Sequence, residues 1–492
     1  MVFLPHERTP HSRFRLSRGV VNYPSGVQRR GSSAGGSPWL APVDLIMAVV
    51  TAGITVTRML FLRRSVTVES QGLVVLDASY TLDQVHDREL QWAITARDCD
   101  GLFDHVWSVH PMVGADGSAP GDGPLRVRGL SDSHTFIEAH MSVGPRWNRL
   151  PITGFVLSQV RLLKHLRQFV VSGRVSAVRV GDPYYLGLLG YLLAICGGLP
   201  LTVRVASDYD AAYQKTGLPA YPRLFRSRRI EKRIERYILR RAELIVAPNL
   251  AYQSFAIANG ARPEHCAVVP FGGLLHPAHF DEPSDRHSIR DEVGLDQRPL
   301  VVSVMRLEPV KHAVDLVDVL DLVRRDSPNV VFAVVGDGSQ RGEMLARARE
   351  LGLDDSLFLL GNRGQRWIAS LLADADVIVA PMMGRALVEA ALSGTPIVAY
   401  DVDWHGELID DGETGVLVSF GDREAMARAI LRMLDNPDHA AELGSRARRA
   451  ATDAMSREVV SRAEREAWLR VLPLAGANVG PRGSRMPADD AR

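Results

Sequence analysis

The chain has 492 residues, 46% hydrophobic and 23% charged, more apolar material than one core uses, since single cores stop growing near ~250–300 residues; two domains are the expectation. Its 58 basic and 57 acidic side chains leave a formal charge of +1, which excludes a global field for nucleic acid or lipid and confines any electrostatic site to local patches. Cys99, Cys196 and Cys266 are odd in number, far apart and in no Cys-x-x-Cys spacing, which argues against a disulfide framework or a zinc site and fits a reducing cytoplasm.

Residues 1–70 read as a disordered or weakly apolar leader. Met1 to Pro38 is rich in Arg, Ser, Gly and Pro without apolar periodicity. The apolar stretch from Leu45 to Thr57 spans 13 residues between Asp44 and Arg58, too short for the ~20 of a membrane-spanning helix. The basic leader is also long for a signal peptide, and an upstream extension, a surface-lying helix and a cleaved signal stay open.

From Gly72 short β-branched runs alternate with helix-period segments, the pattern of parallel sheets covered by helices on both faces. Strands are expected at Leu73–Leu76, His105–Val109, Ala177–Val180, Leu201–Ala206 and Leu244–Ala247, giving an amino-terminal Rossmann-like domain over 71–283. Between Tyr221 and Arg241 lie nine Lys or Arg and two Glu, with apolar residues at near-helical spacing; a solvated helix face and a peripheral contact with anionic membrane, at its inner face, both fit. The polar run from Pro277 to Pro299 suits a linker, placed at 284–299. A second Rossmann-like domain over 300–454 follows, with strands at Leu300–Val304, Val330–Val335, Leu357–Leu360, Val377–Ala380, Pro396–Ala399 and Gly415–Val418. A helix at 455–473 should pack back toward the first domain, and 474–492 reads as a loose tail. The fold class is therefore α/β, two doubly wound parallel-sheet domains facing a cleft, and the cleft outside the strands' carboxyl ends is the default ligand site.

Three segments of the second domain carry chemistry. Strand Leu300–Val304 runs into Met305-Arg306-Leu307-Glu308-Pro309-Val310-Lys311, setting two cations where a diphosphate would suit them, Arg as a planar fork and Lys as a point charge. A solvated loop is the plain alternative. The next strand ends in Gly336-Asp337-Gly338, whose glycines allow close approach of a ligand or a positive φ, though an ordinary turn explains them as well. Strand Val377–Ala380 leads through Gly384 and Arg385 to a helix from Ala386 that ends at Gly394, its amino terminus an anion site. Glu389 on its first turn accepts hydrogen bonds from ribose hydroxyls, or merely stabilises the helix.

In this order these segments, with Gly394-Thr395-Pro396-Ile397-Val398-Ala399, Glu407-Leu408-Ile409-Asp410-Asp411-Gly412 and Gly415-Val416-Leu417-Val418, resemble the donor domain of the retaining glycosyltransferases of family 4, of the two-domain GT-B type. Ala242 to Pro248 and Val268-Val269-Pro270-Phe271-Gly272 match more loosely. The resemblance implies a metal-independent hexosyltransferase acting with retention, with Arg306 and Lys311 on the donor diphosphate of a UDP- or GDP-sugar, Glu389 on its ribose, no cofactor, and a hydroxyl acceptor (glycan, lipid-linked sugar or small molecule) in surface-polysaccharide or related biosynthesis.

The sequence departs from the family in two places. Pro381 stands where the donor motif has its first glutamate, so Arg385 is expected to replace a carboxylate beside the sugar or phosphate. Asp77-Ala78-Ser79-Tyr80-Thr81-Leu82 replaces the glycine-rich turn after the first strand. Asp208 is the candidate substitute for the family's histidine after Leu201–Ala206, with a helix cap as its alternative. The triplets Asp208-Tyr209-Asp210 and Asp401-Val402-Asp403 invite a metal reading, set aside because protein cations and a helix terminus already serve a diphosphate. An epimerase or hydrolase of the same fold, and a non-catalytic nucleotide-sugar-binding partner protein, remain as rivals.

Overall fold

The computed structural model describes residues 66–473 apart from 88–89, 114–123, 141–150, 222–223, 226, 272–274, 283–287, 291, 293 and 296–297, together with 476, 478 and 479. The apolar stretch at 45–57, and nearly all of the expected leader and tail, lie outside the described residues.

The first lobe is an eight-stranded sheet. Its strands are β1 (Gly72–Leu76), β2 (His105–Val113), β3 (Leu125–Ser131), β4 (His134–His140), β5 (Ala177–Val180), β6 (Leu201–Arg204), β7 (Leu244–Ala247) and β8 (Cys266–Val268). They lie in the order β3-β4-β2-β1-β5-β6-β7-β8, parallel except where β3 runs antiparallel to β4. The helices that matter here are α1 (Pro151–Val171), α2 (Tyr185–Gly197), α3 (Tyr209–Thr216), α4 (Arg228–Leu239) and α5 (Leu250–Ala258). Leu162, Leu166 and Val170 of α1, with Leu186, Leu189 and Leu193 of α2, cover Val74, Leu76, Val178, Val180 and Val203 on one face.

Strands β3 and β4 escape the sequence reading for a physical reason. β3 is an edge strand whose Arg126, Val127, Arg128 and Gly129 stay exposed, as edges do when charges guard them. β4 buries His134, Glu138 and His140, so it shows no apolar run.

The second lobe holds β9 (Leu300–Val304), β10 (Val331–Val335), β11 (Leu357–Gly361), β12 (Val377–Ala380), β13 (Ile397–Asp401) and β14 (Val416–Ser419), all parallel, in the order β11-β10-β9-β12-β13-β14. Alternate residues of the apolar strands face opposite layers. Val301, Phe332, Val334, Val377 and Val379 meet α6 (Asp315–Asp326) and α9 (Arg423–Asp435), whereas Val302, Val331, Ala333, Ile378 and Ala380 meet α7 (Gln365–Asp374) and α8 (Ala386–Ser393). Each such strand is buried on both faces, which is why it reads as a continuous apolar run. The described residues inside the expected linker lie against this lobe: Ile289 and Leu295 are buried, and Arg290 donates to the Asp374 carbonyl and to Asp376.

After α10 (Pro437–Met455) the chain crosses back as α11 (Arg457–Leu469). Trp468 packs edge-on against Phe103, ring centroids 5.1 Å apart, beside Leu73, Val75 and Leu244. Glu464 pairs with Arg179 at 3.1 Å and Arg457 with Asp100 at 2.6 Å. A further join lies at the cleft, where Glu407 of the second lobe accepts from the Leu250 and Ala251 amides, both at 2.7 Å, at the start of α5. Those amides have no partner inside the helix, and the helix dipole favours a negative group there.

Gly336, just past β10, has φ +132°, and a Cβ on it would lie 1.9 Å from the Met305 carbonyl oxygen. Gly336→Ala combines a strained backbone with a backbone clash. It should lower unfolding stability by about 2–4 kcal/mol, read by chemical denaturation; a midpoint unchanged from the parent would show that the loop after β9 can yield.

Candidate functional site

The carboxyl ends of β9, β10 and β12 meet at the cleft. β9 delivers Met305-Arg306-Leu307, fixed on both sides by backbone bonds, Met305 N to Val335 O at 2.9 Å and Leu307 N to Asp337 O at 3.1 Å. The glycines of the next turn permit this. A Cβ at Gly336 would strike Met305, and one at Gly338 would sit 2.4 Å from the Leu307 oxygen. Their bare Cα atoms admit the protein's own loop and so place Arg306, which lies exposed between Met305 and Leu307, and Gly336 takes the positive φ that is one of the two roles expected of these glycines.

The turn Pro309–Lys311 follows, closed by His312 in the left-handed region at φ 57°. Lys311 is half-buried. Burial, with Arg306 and Lys215 adding repulsion and Asp403 opposing it, brings its amine down to about 8. Gly384 faces the same point, because a Cβ there would come no nearer to any atom than 3.9 Å, from the Lys311 Nζ. Arg306, Lys311 and Gly384 are thus brought together as the sequence suggests.

Lys215 was missed. It sits on α3 of the first lobe, and its Nζ lies 3.2 Å from the Met382 sulfur and 5.4 Å from the centre of the Phe420 ring, both in the second lobe. A thioether and an aromatic face are weak partners for an ammonium. No carboxylate among the described residues pairs with it within 4.0 Å, although Asp403 and Asp208 are near enough to oppose the lowering of its pKa by burial. The only sequence signal is a lone lysine on a short polar helix after Asp208, which no local pattern distinguishes from a surface residue.

At the start of α8, Arg385 donates through Nε to Glu389 Oε1 at 3.0 Å, and Glu389 is only 2% exposed. His279 Nε2 lies 4.0 Å from the other carboxylate oxygen and 2.9 Å from Gln365 Oε1. This changes the expectation that Arg385 and Glu389 act separately, since residues four apart on a helix face each other and here form an ion pair. Ala386 opens the helix, and Gly394, at φ 79°, ends it. His405 is fully buried, its ring nitrogens 2.9 Å from the Tyr400 carbonyl and 3.1 Å from that of Met383, and so ties the loop before α8 to β13.

Asp208 caps α3. Its Oδ1 accepts from the Asp210 and Ala211 amides, each at 2.9 Å, which is the helix cap of its two readings. Two further acids of the triplets are also engaged: Asp210 pairs with Arg228 and Lys232, and Asp403 accepts from the Tyr252 hydroxyl at 2.8 Å, whereas Asp401 is exposed. Among the described residues no group of three His, Cys, Asp or Glu is arranged to hold a metal ion, and no helix is long and apolar enough to cross a membrane.

Two acids of the first lobe, Asp77 and Asp182, stand at the carboxyl ends of β1 and β5. Asp77 would be raised by burial, but Arg97, at 2.5 Å, and Ser79 outweigh that and hold it at about 2. In Asp182 burial prevails over the bonds from Tyr221 and the Tyr184 amide, and its carboxyl is pushed up to about 6. One carboxylate is therefore fixed as an anion while its neighbour titrates near neutrality.

Comparison with known proteins agrees with this geometry. Residues 285–450 match the family described as Glycosyl transferases group 1, and residues 99–272 match the Glycosyl transferase 4-like domain. The chain is 30% identical over 306 residues to the 2-deoxystreptamine glucosyltransferase of Streptomyces kanamyceticus, covering 59% of this chain and 77% of that one. It is 26% identical over 299 residues to the alpha-D-kanosaminyltransferase of the same organism, covering 58% and 74%. Among solved structures, HepE of Anabaena in complex with UDP-glucose superposes with a TM-score of 0.59 at 20% identity, covering 81% of this chain and 100% of that one. Sucrose-phosphate synthase of Thermosynechococcus elongatus gives 0.61 at 18%, covering 81% and 98%. The chain belongs to the group 1 glycosyl transferases, as a glycosyltransferase of the two-lobed GT-B type.

Proposed function

We propose that the enzyme transfers a hexosyl group from a UDP- or GDP-sugar to a hydroxyl acceptor with retention of anomeric configuration and without a metal ion, in the cytoplasm. The observation that carries the reading is the convergence of Arg306, Lys311 and Lys215 around one point of the cleft with no neutralising carboxylate at ion-pair distance from Lys215. Three cations match the charge of a donor diphosphate and stabilise it as it leaves, the part of glycosyl transfer in which charge develops. The donor class is supported by a similar protein, HepE, which is bound to UDP-glucose.

In this mechanism the diphosphate lies over Gly384 and the amino end of α8, gripped by Arg306 and Lys311 from one lobe and Lys215 from the other. Glu389 accepts from the ribose, and Arg385 turns from it toward the donor sugar or phosphate, in the space of the absent first glutamate. The departing diphosphate takes the acceptor's proton on the face it leaves, so no protein nucleophile is needed. Asp208 remains a cap whose charge balances Lys215. Incubation with UDP- and GDP-hexoses and a panel of alcohols should release nucleoside diphosphate only when acceptor is present, and the product's anomeric proton coupling should match the donor's; an inverted product would overturn the retaining mechanism.

Arg306→Ala, Lys311→Ala and Lys215→Met should each weaken nucleoside diphosphate binding by about 1.5–3 kcal/mol, with losses that do not add because the three share one group. Because the free Lys311 amine titrates at about 8 and its ammonium form binds the anion, affinity should fall as pH rises past that value. Lys311→Arg should flatten the profile, with Arg306, Lys215, Asp403 and His312 unchanged around it. Calorimetric titration across pH checks both; equal affinity in all three truncations would remove the diphosphate from this point.

Glu389→Gln should cost about 1–3 kcal/mol of nucleoside diphosphate affinity, since an amide keeps one good acceptor where a carboxylate offers two. Arg385→Ala should lower turnover more than affinity. The ion pair implies coupling, so the double variant should lose less than the sum of the singles. Strict additivity in the cycle would mean that the pair is not maintained in solution.

Turnover should persist in excess chelator. Loss of activity with chelator, restored by manganese or magnesium, would return Asp208-Tyr209-Asp210 or Asp401-Val402-Asp403 to consideration as metal ligands.

A further inference from the structure

Helix α4 divides its charges between two faces. Inward, Arg228 and Lys232 are consumed: Arg228 pairs with Asp210, Glu231 and Glu235, and Lys232 with Asp210 and Glu235, and both glutamates are fully buried. Outward, Arg229, Arg233 and Arg236 of the helix, with Arg240 and Arg241 just past its end, are all exposed; the first four are spaced by three, four and seven as one face of a helix requires. None of these five pairs with a carboxylate among the described residues, and the helix places no acid among them; Arg241 instead lies over the Tyr237 ring at 3.7 Å.

Apolar side chains lie within the same face. Ile230 is 50% exposed and Tyr237 41%, and Leu218, on the segment leading to the helix, is 59% exposed. Arginines interleaved with an isoleucine and a tyrosine fit the boundary between lipid headgroups and acyl chains, where apolar side chains enter and guanidinium groups stay with the phosphates. A nucleic acid would use the cations but leave Ile230 and Leu218 unused. With a net charge of +1 on the whole chain, attraction to an anionic surface has to come from local patches such as this face.

We propose that the outward face of α4 docks the enzyme on an anionic lipid bilayer. The face begins near Asp182, since Glu231 accepts from the amides of Ala220 and Tyr221, and the Tyr221 hydroxyl in turn donates to Asp182 at the end of β5. Docking there brings membrane-borne hydroxyl acceptors to the cleft. The proposal is independent of where the diphosphate binds.

The full chain, sedimented with vesicles of phosphatidylcholine alone or mixed with phosphatidylglycerol, should partition onto the mixed vesicles at low salt and be released by high salt. Arg229→Glu with Arg233→Glu and Arg236→Glu should cut that partition by roughly 100-fold, and the milder pair Arg233→Gln and Arg236→Gln by roughly tenfold. Ile230→Ser with Tyr237→Ser should weaken it with no change in charge, and nucleoside diphosphate affinity should stay at the parent value in all three, reporting an intact fold. Equal partition on neutral and mixed vesicles, unchanged partition in the arginine variants, or binding of duplex RNA with no binding of mixed vesicles would each overturn the proposal.

Discussion

Like charges gathered at one point of a cleft repel, and the architecture is arranged to hold them there. Burial does most to bring the Lys311 amine from 10.5 down to about 8, and the charges of Arg306 and Lys215 push it the same way. The strain is carried by parts that are rigid for other reasons: strands buried on both faces, a turn locked by His312, and a loop pinned under two glycines. Lys215 comes from the opposite lobe, so the repulsion also acts between the lobes, and an anion placed among the three cations would turn it into attraction. Binding and closure then become one event, which is how a two-lobed enzyme excludes water from a reactive donor.

The second lobe was more legible in the sequence than the first because its strands are apolar on both faces and its site residues follow strands directly. Arg306, Lys311, Gly384 and the helix of Glu389 lie within a few residues of a strand end, so chain order alone assembles them. Lys215 gains its meaning only across the cleft, from Met382 and Phe420, more than 160 positions away in sequence, a relation no local pattern records. The hairpin of β3 and β4 was hidden by arginines outside and by histidines and a glutamate inside. The Gly-x-Gly turn is a legible signal of another kind, since its glycines are already required by the close approach of the Met305 and Leu307 carbonyls.

The two charge systems of the first lobe follow different rules. Beneath α4 the ions are matched and buried, with Glu231 and Glu235 each held by cations and by backbone or tyrosine donors, since an unpaired buried charge is costly. On the outside of the same helix the arginines have no such partners and are stabilised by water. Sequence composition adds both sets into one basic stretch; only the three-dimensional faces separate them.

The joins between the lobes set limits on how such enzymes can be recombined. α11 follows the second lobe in the chain, yet its Trp468 completes the core of the first, and Glu407 adds to the Asn249 cap of α5 the acceptors for the Leu250 and Ala251 amides. A chimera cut at the linker would hand the first lobe a foreign tryptophan and a foreign carboxylate. Exchange of the donor half between relatives therefore has to cut twice, once before β9 and again near Ser456, and has to keep Glu407 with Leu250 and Ala251. Inheritance in this architecture runs by packing unit, not by stretch of sequence.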